Sequence, residues 1–335
     1  MRTTAELDER LARPDPALVE DLEKLDGDIL ILGAGGKLGP SLTRLALNAT
    51  RGSRTVTAVS RFSEPGLADA LRADGANVVS ADVADDQALR ALPDAANVVM
   101  LVGAKFGTQG REQATWFTNA YLPGRIADRF RGSRIAALST GNVYPLVPVT
   151  SGGSVEDDPT GPVGDYAMSC LGRERVLTHL AETHGSPLAL IRLNYAVEMR
   201  YGVLVDLAQK VLAGTPIDLA TGHVNVVWQG YANAVTLRSL LLADVPPFVL
   251  NVTGPELLSV RWAAEELGRV LGKEPEFVGE PAPTALLSNA ARCHRLFGYP
   301  QLTPGELIEH TARWVADGGP LLGKPTKFER RDGRF

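Results

Sequence analysis

The feature that most constrains the fold is a short apolar run, Asp28 to Leu32, that ends directly in Gly33-Ala34-Gly35-Gly36-Lys37-Leu38-Gly39. Such a run, bounded by turn residues, reads as a buried parallel strand. A helix-forming segment, Ser41 to Asn48, follows. Strand, tight turn and helix in that order bring backbone N–H groups to a helix N-terminus, where a pyrophosphate can sit. The spacing G-x-G-x-x-G fails because Leu38 follows Lys37, whereas G-x-x-G-x-x-G fits with Gly33, Gly36 and Gly39. Glycines alone mark only a tight turn; the strand before and the helix after point to a dinucleotide. Gly33, Gly36, Lys37, Leu38 and Gly39 are therefore candidate cofactor contacts.

The same alternation continues. Thr55 to Ser60, Ala76 to Ser80, Asn97 to Val102, Arg134 to Leu138 and Leu188 to Leu193 read as strands. Ala68 to Asp74, Asp86 to Leu92, Thr115 to Phe130 and Tyr166 to His184 read as helices between them. Repeated βαβ units predict a Rossmann-type, doubly wound parallel sheet. After Leu193 the pattern loosens into Leu204 to Ala213, Asn225 to Trp228, Ala232 to Leu242, Val249 to Val252, Val260 to Leu271, Glu276 to Val278 and Pro304 to Val315. The expected organisation is an N-terminal extension over 1–26 and a dinucleotide-binding domain over 27–195, with 223–250 returning to it. A smaller α+β substrate-binding portion takes 196–222 and 251–335. Ala5 to Lys24, interrupted at Pro14 and Pro16, reads as a surface extension.

Composition excludes several classes. A net charge of −5 argues against a nucleic-acid binder, which needs clustered positive charge. No apolar run reaches the roughly 20 residues of a membrane span, and Met1 to Asp26 lacks an apolar signal core. Two cysteines, Cys170 and Cys293, make no disulfide framework, and the five histidines have no metal-ligand spacing. The expectation is a cytoplasmic, metal-free protein.

The second strand ends Val59-Ser60-Arg61 rather than in an acid. A carboxylate there would accept from the ribose hydroxyls of NAD, while an arginine can clamp the 2′-phosphate of NADP. NADP is favoured over NAD, the alternative being a solvated Arg61.

Tyr166 and Cys170 lie four apart and share a helix face. Upstream, Ser139-Thr140-Gly141-Asn142-Val143-Tyr144 follows an apolar run. With the glycine turn, these segments resemble the extended short-chain dehydrogenase/reductase family, the NAD-dependent epimerase/dehydratase type, whose pattern is tyrosine, three residues, lysine. Here the lysine is Cys170. The resemblance covers roughly Asp28 to Gly319 and is strongest up to Tyr166.

The resemblance implies an NAD(P)-dependent oxidoreductase or epimerase acting on a carbinol of a carbohydrate-like small molecule. Tyr166 would be the acid/base and Thr140 its hydroxyl partner. Asp82 and Val83 would flank the adenine ring, unless they are a simple loop. Val102 and Gly103 would line the cofactor, and Asn142, Asn194 and Asn225 the substrate. A homodimer through the Thr115–Phe130 and Tyr166–His184 helices is implied as well. Dehydration is disfavoured, since Gly141 and Asn142 stand where dehydratases carry an acidic pair.

A phenol with pKa about 10 needs a nearby cation to exchange protons near neutral pH. Three pKa units correspond to about 4 kcal/mol, or about a thousandfold in rate. Cys170 supplies no cation. Lys105, in a loop that resembles the one carrying a cofactor-contacting lysine in UDP-galactose epimerases, is the candidate replacement if it points inward. Arg173 and Arg175 read as facing a partner helix or solvent, and Glu156, Asp157 and Asp158 as either a lid or a solvated loop tip. Loss of the lysine also leaves open a catalytically silent NADP-binding sensor or scaffold.

Overall fold

The computed structural model describes residues 1–105, 110–324 and 326–334. Seven strands form one sheet: β1 (Ile29–Leu32), β2 (Val56–Ser60), β3 (Asn77–Ser80), β4 (Asn97–Met100), β5 (Arg134–Thr140), β6 (Leu188–Leu193) and β7 (Phe248–Val252). Their order is β3-β2-β1-β4-β5-β6-β7, and every pair is parallel. Each residue of β1 and β4 is buried, as helices covering both faces require. The chain therefore winds outward from β1 through β3, returns to β4, and winds the other way. The crevice at the carboxyl ends of β1 and β4 is where such sheets bind ligands. Leu32 is level with both Val59 and Met100, so the glycine turn, Arg61 and the Leu101–Lys105 loop share one edge.

The helix expected over Thr115 to Phe130 is interrupted. Helices Glu112–Trp116 and Leu122–Arg129 flank a π turn, Phe117–Tyr121. Pro123 has no N–H to give the carbonyl of Asn119, four residues back, and the helix widens there. Asn119, within this turn, is fully buried.

The N-terminal segment forms two helices, Thr4–Leu11 and Pro16–Glu23, whose Leu7, Leu11, Leu18 and Leu22 are buried. Pro16 opens the second helix, where a missing N–H costs nothing. Beyond β6, helices Val203–Ala213, Val260–Leu271 and Pro304–Ala316 pack around Leu207, Leu267 and Ala312 in a core that also takes Ala189, Ile191 and Leu250 from the sheet. Short pairings, Ala196–Val197 with Val227–Trp228 and Ile217–Asp218 with Phe277–Val278, brace this region. Among the described residues no helix is long and apolar enough to cross a membrane.

Candidate active site

The glycine turn is tight for steric reasons. Gly33 has φ +87°, and a Cβ on it would lie 3.1 Å from the Leu101 carbonyl carbon. A Cβ on Gly39 would lie 2.3 Å from the Ala34 oxygen, so no larger residue fits. The helix Gly39–Thr50 begins with no side-chain cap, so its positive dipole end faces the turn without a protein side chain to take it up. In front lies a cavity of about 310 Å³ bordered by Gly33, Gly36, Leu38, Gly39, Gly103 and Tyr166. These features fit a dinucleotide phosphate. Lys37 borders the cavity too, but its Nζ donates to the Ala196 oxygen (2.8 Å) and lies 3.5 Å from the Tyr201 ring centre.

Arg61, Asp82 and Val83 stand at the ends of β2 and β3. The Arg61 guanidinium is 3.9 Å from the Asp82 carboxylate, and both side chains are exposed. A pair so placed is worth little by itself. Asp82 also accepts from the Ala84 N–H (3.0 Å), and Val83 is buried.

Tyr166 lies in the first turns of the helix Gly164–His184, beside the end of β5. Its hydroxyl lies beside the Thr140 hydroxyl and the Cys170 thiol, within their hydrogen-bonding reach. Thr140 Oγ1 accepts from the backbone N–H of Asn142 (3.2 Å) and from its Nδ2 (3.0 Å). With its lone pairs so engaged, Thr140 has its own O–H to give Tyr166. Burial pushes the Tyr166 phenol well above its ordinary range, and the neighbouring Cys170 adds to the rise. Burial also raises the Cys170 thiol, so it is neutral near pH 7.

Lys105 borders the same cavity and the adjoining one of about 180 Å³ that contains Thr140, Asn142 and Asn194. Its Nζ is 5.9 Å from the Tyr166 ring centre and 5.7 Å from that of Tyr195. Burial lowers its pKa to about 8. Tyr195 has φ +45°, strained for a bulky residue, as often found at functional sites. Asn194 is buried and donates weakly to the Leu286 oxygen (3.4 Å). Asn225 is not brought into this cleft. It borders a separate cavity with His294 and Tyr299, and its amide is taken by the Glu256 oxygen (2.9 Å) and the Ser288 N–H (3.0 Å).

Beneath the cleft lies a polar layer that sequence reasoning missed. Asn119 Oδ1 accepts from the Ala104 N–H (2.7 Å), and its Nδ2 donates to the Ala104 oxygen (2.9 Å) and to Ser169 Oγ (3.0 Å). The Lys105 loop is thereby fastened to the Tyr166 helix. Arg173 is buried, not turned to solvent, and donates to Asn119 and to the Leu138 oxygen. Glu174 receives Ser139 Oγ (2.5 Å) and the Arg192 guanidinium (2.8 Å), and Arg192 donates to the Tyr144 hydroxyl (2.7 Å) and the Glu156 oxygen (3.0 Å). Glu156 also accepts from the Asn251 N–H (2.9 Å), which ties its loop to the sheet. One signal was available: Tyr166, Cys170 and Arg173 recur at i, i+4 and i+7, one helix face.

The sequence matches the NAD dependent epimerase/dehydratase family over residues 29–216, more than half of the chain. No curated protein matches it significantly. Among solved structures it is similar to UDP-glucuronic acid 4-epimerase from Bacillus cereus in complex with NAD, at 18% identity and TM-score 0.72, covering 86% of this chain and 98% of that one. The Bordetella bronchiseptica enzyme WbmG in complex with NAD gives 19% identity and TM-score 0.72 over 87% and 94% of the two chains. UDP-glucose 4-epimerase from Thermotoga maritima gives 16% and 0.68 over 87% and 99%. At these identities the structural likeness speaks for the fold, which the parallel sheet and its glycine turn share, and the matched sequence goes further: the chain belongs to the NAD dependent epimerase/dehydratase family.

Proposed function

We propose that the protein is a nicotinamide-dinucleotide-dependent epimerase or oxidoreductase acting on a carbinol of a sugar-like substrate. The observation that carries this is the convergence of Tyr166 with Thr140, whose hydroxyl Asn142 holds, where the cavity fronting the glycine turn meets the adjoining one. The dinucleotide, once bound, would supply a hydride acceptor and donor. Tyr166 exchanges the carbinol proton, Thr140 holds the same oxygen, and Asn142 fixes the Thr140 hydroxyl. Lys105 and Tyr195 border the substrate side, with Asn194 behind them. Gly141 and Asn142 leave no acid/base pair for elimination, so epimerisation or net redox is favoured over dehydration.

Residues 27–195, with 223–250, are assigned to dinucleotide binding, and 196–222 with 251–335 to substrate binding. NAD is the cofactor held by two of the similar structures named above, the Bacillus cereus and Bordetella bronchiseptica enzymes, and Arg61 is the residue that would admit the 2′-phosphate of NADP. Two copies would pair through the helices around Trp116, Phe117, Tyr121 and Met168, which expose large apolar surface. Light scattering giving a monomer would reject that pairing.

The test is to load purified protein with NAD or NADP, offer a panel of UDP-sugars, and follow stereochemistry and cofactor reduction together. Interconversion or reduction supports the assignment. A tightly bound dinucleotide that reacts with nothing would favour the silent sensor, the reading to which Cys170 points.

A further inference from the structure

Where the family pattern calls for a cation on the Tyr166 helix, this chain has a buried neutral thiol, yet the next residue on that face is a buried guanidinium. Arg173 is 5% exposed and borders the glycine-turn cavity. Its Nε donates to the Asn119 oxygen (2.9 Å), Nη1 to the Leu138 oxygen (2.5 Å) and Nη2 to Asn119 Oδ1 (3.1 Å). The chain prepares this seat at two other places. Pro123 leaves the Asn119 carbonyl open. Gly103, in the loop after β4, leaves room, since a Cβ there would come 2.8 Å from Nη2.

Among the described residues no carboxylate forms an ion pair with Arg173, unlike Arg192 with Glu174. A guanidinium has five N–H groups, and three are spent on these contacts, which leaves one on each terminal nitrogen. A buried charge without a counter-ion is costly unless a ligand or a reaction uses it.

We infer that Arg173 is the fixed cation of this cleft, a cofactor-contacting residue that takes over, from one turn further along the helix, the charge the family places at position 170. This rests on the dinucleotide-dependent function proposed above. Arg173 favours the ionised phenol of Tyr166, offers its two spare N–H groups to the cofactor, and favours the dihydronicotinamide over the cationic oxidised ring.

The experiment measures dissociation constants for NAD and NADH by calorimetry on the full chain, with thermal melts as the folding control. Arg173→Gln should lower the preference for NADH over NAD about tenfold, the order of one charge acting across a partly buried cleft. Arg173→Lys, and Cys170→Lys placed in the Arg173→Gln background, should restore it. A purely structural role would weaken both forms alike, so an unchanged ratio in folded Arg173→Gln overturns the inference. If Arg173→Gln does not fold, Arg173→Met, which keeps the side-chain bulk without the charge, is measured in its place: loss of the ratio supports the inference, and a preserved ratio overturns it. Wild-type protein that binds neither form would remove the dinucleotide reading and this inference together, whereas binding with an unchanged ratio removes this one alone.

Discussion

The glycine turn and the Tyr166 helix face meet at one cleft but are built by different means. In the turn the work falls to the backbone: Gly39 can be nothing larger, Gly33 lies against the end of β4, and a helix begins without a side-chain cap. On the helix face it falls to side chains from three segments: Tyr166 and Arg173 on one helix, Thr140 and Asn142 after β5, and Lys105 after β4. A backbone site tolerates almost no substitution, so its spacing keeps a recognisable form. A charge can be delivered from several positions, so a missing lysine at 170 need not mean a missing cation.

The sharpest break would come at the turn. Gly39→Val should weaken dinucleotide binding more than about a hundredfold, because overpacking against Ala34 must move the turn or unfold it; calorimetry with a melt separates the two. On the helix face, Thr140→Val should lower turnover about a hundredfold while leaving cofactor affinity nearly intact, as removal of a group acting on the reacting proton predicts. Equal losses in both would erase the distinction between the two regions.

Lys105→Met sharpens it further. Its folded pKa of about 8 lies below the ordinary value of 10.5, so the charged amine destabilises the fold below pH 8. That cost fades as pH rises from about 8 toward 10.5. The variant should therefore be more stable than wild type at pH 7, by on the order of 1–2 kcal/mol after allowance for its partial exposure. The gain should vanish near pH 10.5, and turnover should fall about tenfold. Denaturant titrations across pH check the first part. Smallest is Arg61→Ala, which should reduce NADP affinity relative to NAD only a few-fold, given its exposure; competition binding reads it directly.

Most of the sheet was legible because buried parallel strands are short apolar runs and the turn has a fixed spacing. Tyr166, Thr140 and Asn142 could be singled out as neighbours of one motif. Arg173 and Asn119 could not be placed so easily. A buried arginine satisfied by carbonyls looks, in sequence, like an exposed helix residue, and Asn119 matters only because Pro123 opens the helix at that point. The C-terminal half, where short pairings depend on long-range packing, gave least. Asn225 shows the consequence: it lies near the expected strand but faces another cavity.

The most direct measurement is the rate of nicotinamide reduction when NAD-loaded protein meets a reactive sugar nucleotide, compared between wild type and Tyr166→Phe. The account predicts a rate about a thousandfold lower in the variant, with unchanged NAD affinity. Equal rates in the two proteins would contradict it.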